Sequence, residues 1–522
     1  MQDILINSNQ NSKPNQKYLN LFSPQKLSWV IICFGIAIRL VQYFYNRSLW
    51  ADEAVLALNI VNRSYLELLQ PLDYDQGAPF GFLIVEKLAI QIFGNNEYAL
   101  RLFPLLSGII SFFLLYRLAK IFLRGYAVPI ALAFFASLNQ LIYYATELKQ
   151  YSSDVAIALF SCLLVTQMFR QRLSIKKVIL FSLLGALTIW FSHPAIFVLA
   201  GFGASYLLID VLKLRNKNYQ NNQIFKVLLI YSSWLISFAL FYFVSIQSLT
   251  KNQDLMTSWK DGKNAFPSSV FDIIWLFDAF GKFFYDPLGF KGIMDGVAIL
   301  AFVIGCISLF YRQKSKLLII LSPLIVTFVA AYLQKYPFRG RLVLFLTPFS
   351  ILFIAEGIEY LIRKTRSKLA FIAGIILLIS LVFQPISKAS NFLINPNWNE
   401  EIKLVLNYVK SNEQPSDILY VYQRGHYQFL YYADKYGYQE GDYIIGVDDL
   451  DKYDGRDLSD KERKRYENDL NQLRGNKRVW LIFSHSHVGS ENDMMKSHLD
   501  KIGKQIDYFE SPGAFVYLYD LS

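Results

Sequence analysis

Long apolar runs alternate with short polar breaks along most of the chain. Runs near twenty residues fall at 27–45, 102–118, 126–144, 152–169, 178–192, 194–212, 224–246, 292–311, 317–333, 341–361 and 369–386. A helix needs about 20 apolar residues to cross a bilayer core, so the pattern predicts about eleven transmembrane helices. The first loop, 46–101, is amphipathic. Within it, 55–69 has helical periodicity, and 79–93 is a second helical stretch interrupted by Glu86 and Lys87. Both read as interfacial helices.

After about residue 388 the pattern becomes that of a soluble domain. Helices are expected at 400–410, 427–436, 461–473 and 492–506, and strands at 417–422, 478–483 and 514–519. That alternation predicts a small α/β domain. The expected organisation is a tail at 1–26, a membrane domain at 27–388 and an α/β domain at 389–522. The tail is polar and lacks the pattern of a cleavable signal, so the first span reads as a retained signal anchor.

Charge gives the orientation. Basic clusters occur at Arg117/Lys120/Arg124, Arg170/Arg172/Lys176/Lys177, Lys213/Arg215/Lys217, Arg312/Lys314/Lys316 and Arg363/Lys364/Arg366/Lys368. They follow every second span. With the N-terminus inside, all lie in the cytoplasm, as the positive-inside rule requires. The first loop and the C-terminal domain then face outward.

Composition agrees: 54% of residues are hydrophobic and 18% charged, against about 25% charged in soluble domains. The net charge of +11 fits cytoplasmic loops and anionic headgroups better than nucleic acid. Cys33, Cys162 and Cys306 all lie in apolar runs, which excludes a disulfide framework or a C-x-x-C metal site.

Ionisable groups near membrane depth are costly and mark pathways or sites. Here they gather in the outer loops. Asp52 and Glu53 are adjacent carboxylates beside Trp50. A carboxylate can accept the proton of an attacking hydroxyl, or Asp52 can simply cap a helix. Trp50 reads as an interface anchor. Glu147 and Lys149 lie in a short turn, as solvated groups or, for Lys149, as a phosphate ligand. Arg101 enters a span, where it can snorkel to lipid phosphate or hold a lipid-linked one. His193 reads as a hydrogen-bonded turn residue. Arg339 and Arg341 can grip a phosphate or anchor to headgroups. Ser484-His-Ser-His487 lacks a third ligand and reads as a surface loop.

The stretches LWADEAVLALNI, PLDYDQGAPFGFLIVEKL, FGNNEYALRLFPLLSG, YYATELKQYSSD and YPFRGRLVLFLTP resemble, in order and spacing, the GT-C membrane glycosyltransferases. They are most similar to bacterial members of glycosyltransferase family 39, related to protein O-mannosyltransferases and the aminoarabinose transferase of lipid A. The resemblance covers much of 48–155 and 336–348 and is weak over the last 135 or so residues.

It implies a GT-C-like fold in a bacterial plasma membrane and a sugar donor on polyprenyl phosphate. The acceptor would be a lipid, glycan or protein hydroxyl. No metal is required, with a divalent cation left open. It implies Asp52 as general base, with Glu53 beside it, and inversion at the anomeric carbon. Arg101, Lys149, Tyr151, His193 and Arg341 would serve the donor phosphate, and Trp50, Glu147 and Arg339 would line the substrate pocket. Two other classes fit the same pattern: a lipid-linked glycan flippase, and a noncatalytic scaffold with an outer partner-binding domain.

Overall fold

The computed structural model describes residues 23–214, 221–262, 264–364, 368–396, 399–448, 459–485 and 490–522. The tail before residue 23, Arg215, Lys217, Arg366 and His487 lie outside the described residues. Helix α1 (Pro24–Phe44) starts behind the Ser23 cap, with a proline in its first turn. The first loop folds as α2 (Ala51–Asn62) and α3 (Phe80–Phe93). The long α4 (Glu97–Phe122) follows, its first turn closed by Asn96, whose side chain accepts from the Ala99 amide at 2.9 Å.

The stretch expected to be one span at 126–144 is broken into α5 (Ala127–Ser137) and α6 (Asn139–Tyr143), bent by 65° when α6 is taken through Thr146. Leu138, at the break, is extended (φ −66°, ψ 124°). Then come α7 (Tyr151–Arg170), α8 (Ile175–Phe191), α9 (Ala195–Leu214), α10 (Asn221–Phe241), the short α11 (Gln247–Lys251) and α12 (Gln253–Thr257), and α13 (Ile273–Tyr285). The bundle closes with α14 (Ile293–Tyr332), α15 (Thr347–Lys364) and α16 (Lys368–Asn391).

Among the described residues seven helices are long and apolar enough to cross a membrane, or eight if the bent pair is one span. Helix α14 counts once in that tally, yet it is folded back. Gln313 interrupts it with φ −157° and ψ 80°. A straight helix would hold Phe302 and Phe328 about 39 Å apart, whereas Trp275 and Phe284 on α13 are about 14 Å apart. Phe284 nevertheless meets Phe302 at 5.6 Å and Trp275 meets Phe328 at 6.3 Å. The two contacts cannot both be met unless the chain turns sharply back at Gln313. The expected break between residues 311 and 317 is therefore a much tighter turn.

Basic stretches meet at one end of the bundle. The Lys316 ammonium donates to the Ile121 carbonyl at 2.7 Å, and Arg363 lies over the Tyr126 ring at 6.0 Å.

The C-terminal part comprises α17 (Ile402–Asn412), β1 (Ile418–Val421), α18 (His426–Ala433), β2 (Tyr443–Ile445), α19 (Asp460–Asn471), β3 (Val479–Ser484), α20 (Ser490–Ile502), β4 (Lys504–Ser511) and β5 (Ala514–Asp520). The sheet order is β2-β1-β3-β5-β4, parallel through β2-β1-β3 and antiparallel beyond. The sequence reading missed β2 and β4, and it ran the last helix to 506 where the chain is already in β4. Strand β2 is three residues long, and β4 is an edge strand whose inner positions are only half-buried. Neither leaves a strong period-two signal.

Strand β3 is buried throughout, and its side chains alternate between two cores. Leu481 and Phe483 pack with Met495 and Leu499 beneath the sheet. Trp480 and Ile482 join a core that also contains Leu49, Leu56 and Ile60 around α2, and Phe82 and Leu100. The C-terminal sheet and the first loop thus share one apolar core. That packing fixes where the start of α2 sits.

Candidate active site

Helix α2 begins at Ala51, so Trp50 is its N-cap and Asp52 and Glu53 lie in its first turn. Asp52 is not the cap. The segment before α17 and helix α18 hold the turn before α2 by direct bonds. Glu401 accepts from the amide and hydroxyl of Ser48 at 3.0 and 2.9 Å. Glu400 accepts from the Ala51 amide at 3.0 Å, and the Tyr432 hydroxyl accepts from the Leu49 amide at 2.8 Å. His485 Nδ1 sits 2.7 Å from Glu400, so His485 belongs to this junction rather than to a free surface loop.

Consecutive helix positions point in different directions, and the acidic pair divides accordingly. Glu53 is completely buried. Its carboxylate takes both Arg101 Nε (2.8 Å) and Nη2 (2.6 Å) and the Leu148 amide (2.7 Å). Burial opposes its charge, but the Arg101 guanidinium and these bonds win and hold its carboxyl below the usual range. Arg101 also donates to the Arg47 and Ser48 carbonyls at 2.7 and 3.0 Å. The expected phosphate-binding role for Arg101 and the catalytic role for Glu53 therefore meet a closed, bidentate pair that ties α4 to the first loop.

Asp52 faces the other way and retains 18% side-chain exposure. Lys149 Nζ lies 3.0 Å from Oδ1, and Arg341 Nη1 lies 2.6 Å from Oδ2. Burial raises the Asp52 carboxyl, yet the two cations outweigh it and leave it well below the ordinary carboxylate range. Lys149 is itself depressed, because burial and Arg341 cost it more than Asp52 returns. Tyr151 supports the cluster, its ring 5.3 Å beneath the Arg341 guanidinium. Gln76 joins it from the first loop: Oε1 accepts from Lys149 at 2.7 Å and Nε2 lies 3.5 Å from Asp52.

Glu147 is fully buried behind this cluster. Its Oε1 accepts from the Trp50 indole at 3.2 Å. Burial first, and then the nearby Glu53 charge, push its carboxyl up to about 7. Trp50 thus lies under the C-terminal sheet, its ring 6.2 Å from His485, and is not a membrane anchor.

Two expected residues lie elsewhere. Arg339 donates to the Asn264 carbonyl at 2.6 Å and pairs with Asp278 at 3.2 Å, fastening α13. His193 Nε2 meets Ser245 Oγ at 3.2 Å, and burial drives its imidazole down to about 4. The structure therefore joins Asp52, Lys149, Tyr151 and Arg341, with Glu147 and Trp50 behind them. Gln76 was missed, although it stands inside the PLDYDQGAPF stretch. Glu400 and Glu401 carry no local signal of their partnership with residues far earlier in the chain.

A divalent cation does not fit Asp52, whose oxygens already face two cations. Among the described residues no three His, Cys, Asp or Glu side chains converge as a metal site.

Residues 77–237 match the family described as dolichyl-phosphate-mannose-protein mannosyltransferase. No curated protein matches the chain in sequence. Among solved structures, the apo oligosaccharyltransferase of Archaeoglobus fulgidus is similar with a TM-score of 0.53 and 11% identity, over 97% of this chain and 75% of that one. ArnT from Cupriavidus metallidurans bound to undecaprenyl phosphate is similar with a TM-score of 0.50 and 12% identity, over 94% of this chain and 98% of that one. AglB from Archaeoglobus fulgidus, in complex with an inhibitory peptide and a dolichol-phosphate, gives 0.50 and 11%, over 96% and 74%. The chain is a multi-pass membrane protein with the fold of the GT-C glycosyltransferases. The resemblance drawn from its motifs is borne out in both the matched segment and the fold.

Proposed function

We propose that this protein transfers a sugar from a polyprenyl-phosphate donor to an acceptor hydroxyl at the extracytoplasmic face. One observation carries the reading: a partly exposed carboxylate, Asp52, held between two cations, Lys149 and Arg341. The formal charge of that cluster is positive, so it favours an anion. The ArnT and AglB structures contain polyprenyl-type phosphates, which supports a lipid phosphate as that anion.

The reaction follows from this arrangement. The bond between the anomeric carbon and the phosphate oxygen breaks, and its electron pair stays on the phosphate. Lys149 and Arg341 stabilise the charge that develops there. The acceptor oxygen bonds to the anomeric carbon from the opposite face, which inverts it, and its proton passes to Asp52. Phosphate binding draws the cations away from Asp52. Its carboxyl then rises toward its ordinary value and becomes a better base. Glu53 and Arg101 serve as positioning residues, and Glu147 and Trp50 back the pocket. Arg339 and His193 act outside the reacting cluster.

Eleven crossings, with α14 counted as two, the bent α5–α6 pair as one, and α8 and α9 as one each, put the C-terminal sheet on the side opposite the N-terminus. In a bacterial plasma membrane that side is extracytoplasmic. The test is transfer by purified protein from a polyprenyl-phosphate sugar. Asp52→Asn should fold and bind the donor but lose turnover. Unchanged turnover would remove Asp52 as base, and lipid translocation without bond cleavage would favour the flippase.

A further inference from the structure

A shallow, open cleft lies between the first loop and residues 244–249, which follow α10 and run into α11. Leu68, Pro71 and Phe80 line one side, and Ser245, Ser248 and Leu249 the other. Among the described residues no charged side chain lines it. Gln76 lines it too, and the same amide contacts Lys149 and Asp52. A group seated in the cleft is therefore one side chain away from the reacting cluster.

The chain takes a strained path to put Gln76 there. Tyr74 and Asp75 precede it with φ of 63° and 56°, in the left-handed region that non-glycine residues seldom enter. Such strain persists where the surroundings over-determine it, and it clusters at functional sites. Here Asn252 donates to Asp75 at 2.7 Å, Gln150 donates to the Gly77 carbonyl at 3.2 Å, and Arg63 pairs with Asp73 at 2.7 Å. Behind the cleft wall, Ser245 is backed by His193.

We propose that this cleft is a subsite for a neutral, hydroxyl-bearing group, with Gln76 as its specificity-determining residue. The inference deepens the transferase reading and rests on it. An amide and serine hydroxyls can exchange hydrogen bonds with sugar hydroxyls. They offer no counter-charge to an ammonium or a carboxylate, whose desolvation then goes uncompensated. The hydroxyls can belong to the donor sugar or to the acceptor.

The test offers purified protein undecaprenyl-phosphate donors carrying a neutral hexose or the matching amino sugar. Wild type should prefer the neutral donor. Gln76→Glu should lower kcat/KM for it at least tenfold and shift the preference toward the amino sugar. If the acceptor fills the cleft, the donor preference stays and the acceptor KM rises instead. Leu249→Trp, which fills the cleft beside Gly77, should raise the same KM that Gln76→Glu affects. Retained undecaprenyl-phosphate binding shows that each variant is folded. Both variants folded, with wild-type donor preference and wild-type acceptor KM, would overturn the proposal. A wild-type protein that turns over no donor sinks the transferase reading itself. The cleft is then judged on binding, where unchanged competition of the two donors against undecaprenyl phosphate in Gln76→Glu overturns it.

Discussion

Asp52 and Glu53 are neighbours in sequence with opposite duties, and substitution should separate them. Asp52→Asn removes a proton acceptor from a partly exposed site, so transfer should fall by about 10²–10⁴-fold, and stability should fall as well, because Lys149 and Arg341 lose the carboxylate that pairs them. Arg101→Leu strips the partner from a buried carboxylate, which should cost about 3–5 kcal/mol, read as lost thermal stability in detergent. Glu147 gives a pH test. Its folded value of about 7 lies above the ordinary 4.5, so the native state holds the proton more tightly. Its stabilising effect is complete below pH 4.5 and is lost as the pH rises through about 7. Tm measured from pH 5 to 8 should fall with pH in wild type and flatten in Glu147→Gln. The sequence pointed to charged residues that the structure brings together, Asp52, Lys149 and Arg341, because costly charges gather in the outer loops. It could not say which oxygen faces which cation. That depends on helix phase, and on Arg101 bonding into a turn that looked merely adjacent.

Elements are legible where apolar period and length are strong, and illegible where packing decides. The apolar runs were found because a spanning helix needs length. The turn at Gln313 falls in the basic gap between the runs 292–311 and 317–333, whereas the break at Leu138 leaves no such mark. Close helix packing is equally silent in the pattern. A side chain on Gly305 of α14 would run into the Phe353 carbonyl of α15, and one on Gly357 would meet the Ala301 carbonyl. Gly296, on the same helix, has open space around it. Gly305→Leu should therefore sharply reduce folded yield, while Gly296→Leu should leave it near wild type. Size-exclusion profiles and thermal melts of the two variants check this. Equal behaviour would mean that α14 and α15 do not pack as described.

At the scale of the molecule, the C-terminal domain is joined to α2 by a shared core and by Glu400, Glu401 and Tyr432. Its position relative to the membrane therefore decides which face the site serves. With α14 folded back at Gln313, the eleven proposed crossings place Lys314 and the C-terminal sheet on opposite sides. Lys314 is exposed, and the Lys496 side chain keeps 40% exposure. Each can be changed singly to cysteine in a variant whose Cys33, Cys162 and Cys306 are alanine. A membrane-impermeant thiol reagent added to intact cells, with any outer barrier opened, should label Lys496→Cys. It should label Lys314→Cys only after the inner membrane is permeabilised. Labelling of both from outside would make the number of crossings between them even. Asp52, bound through α2 to the C-terminal sheet, would then still face outward, and the α14 hairpin would have to turn on that same side. Labelling of neither from outside would put the sheet and Asp52 in the cytoplasm, where the donor would have to present its sugar on the inner leaflet.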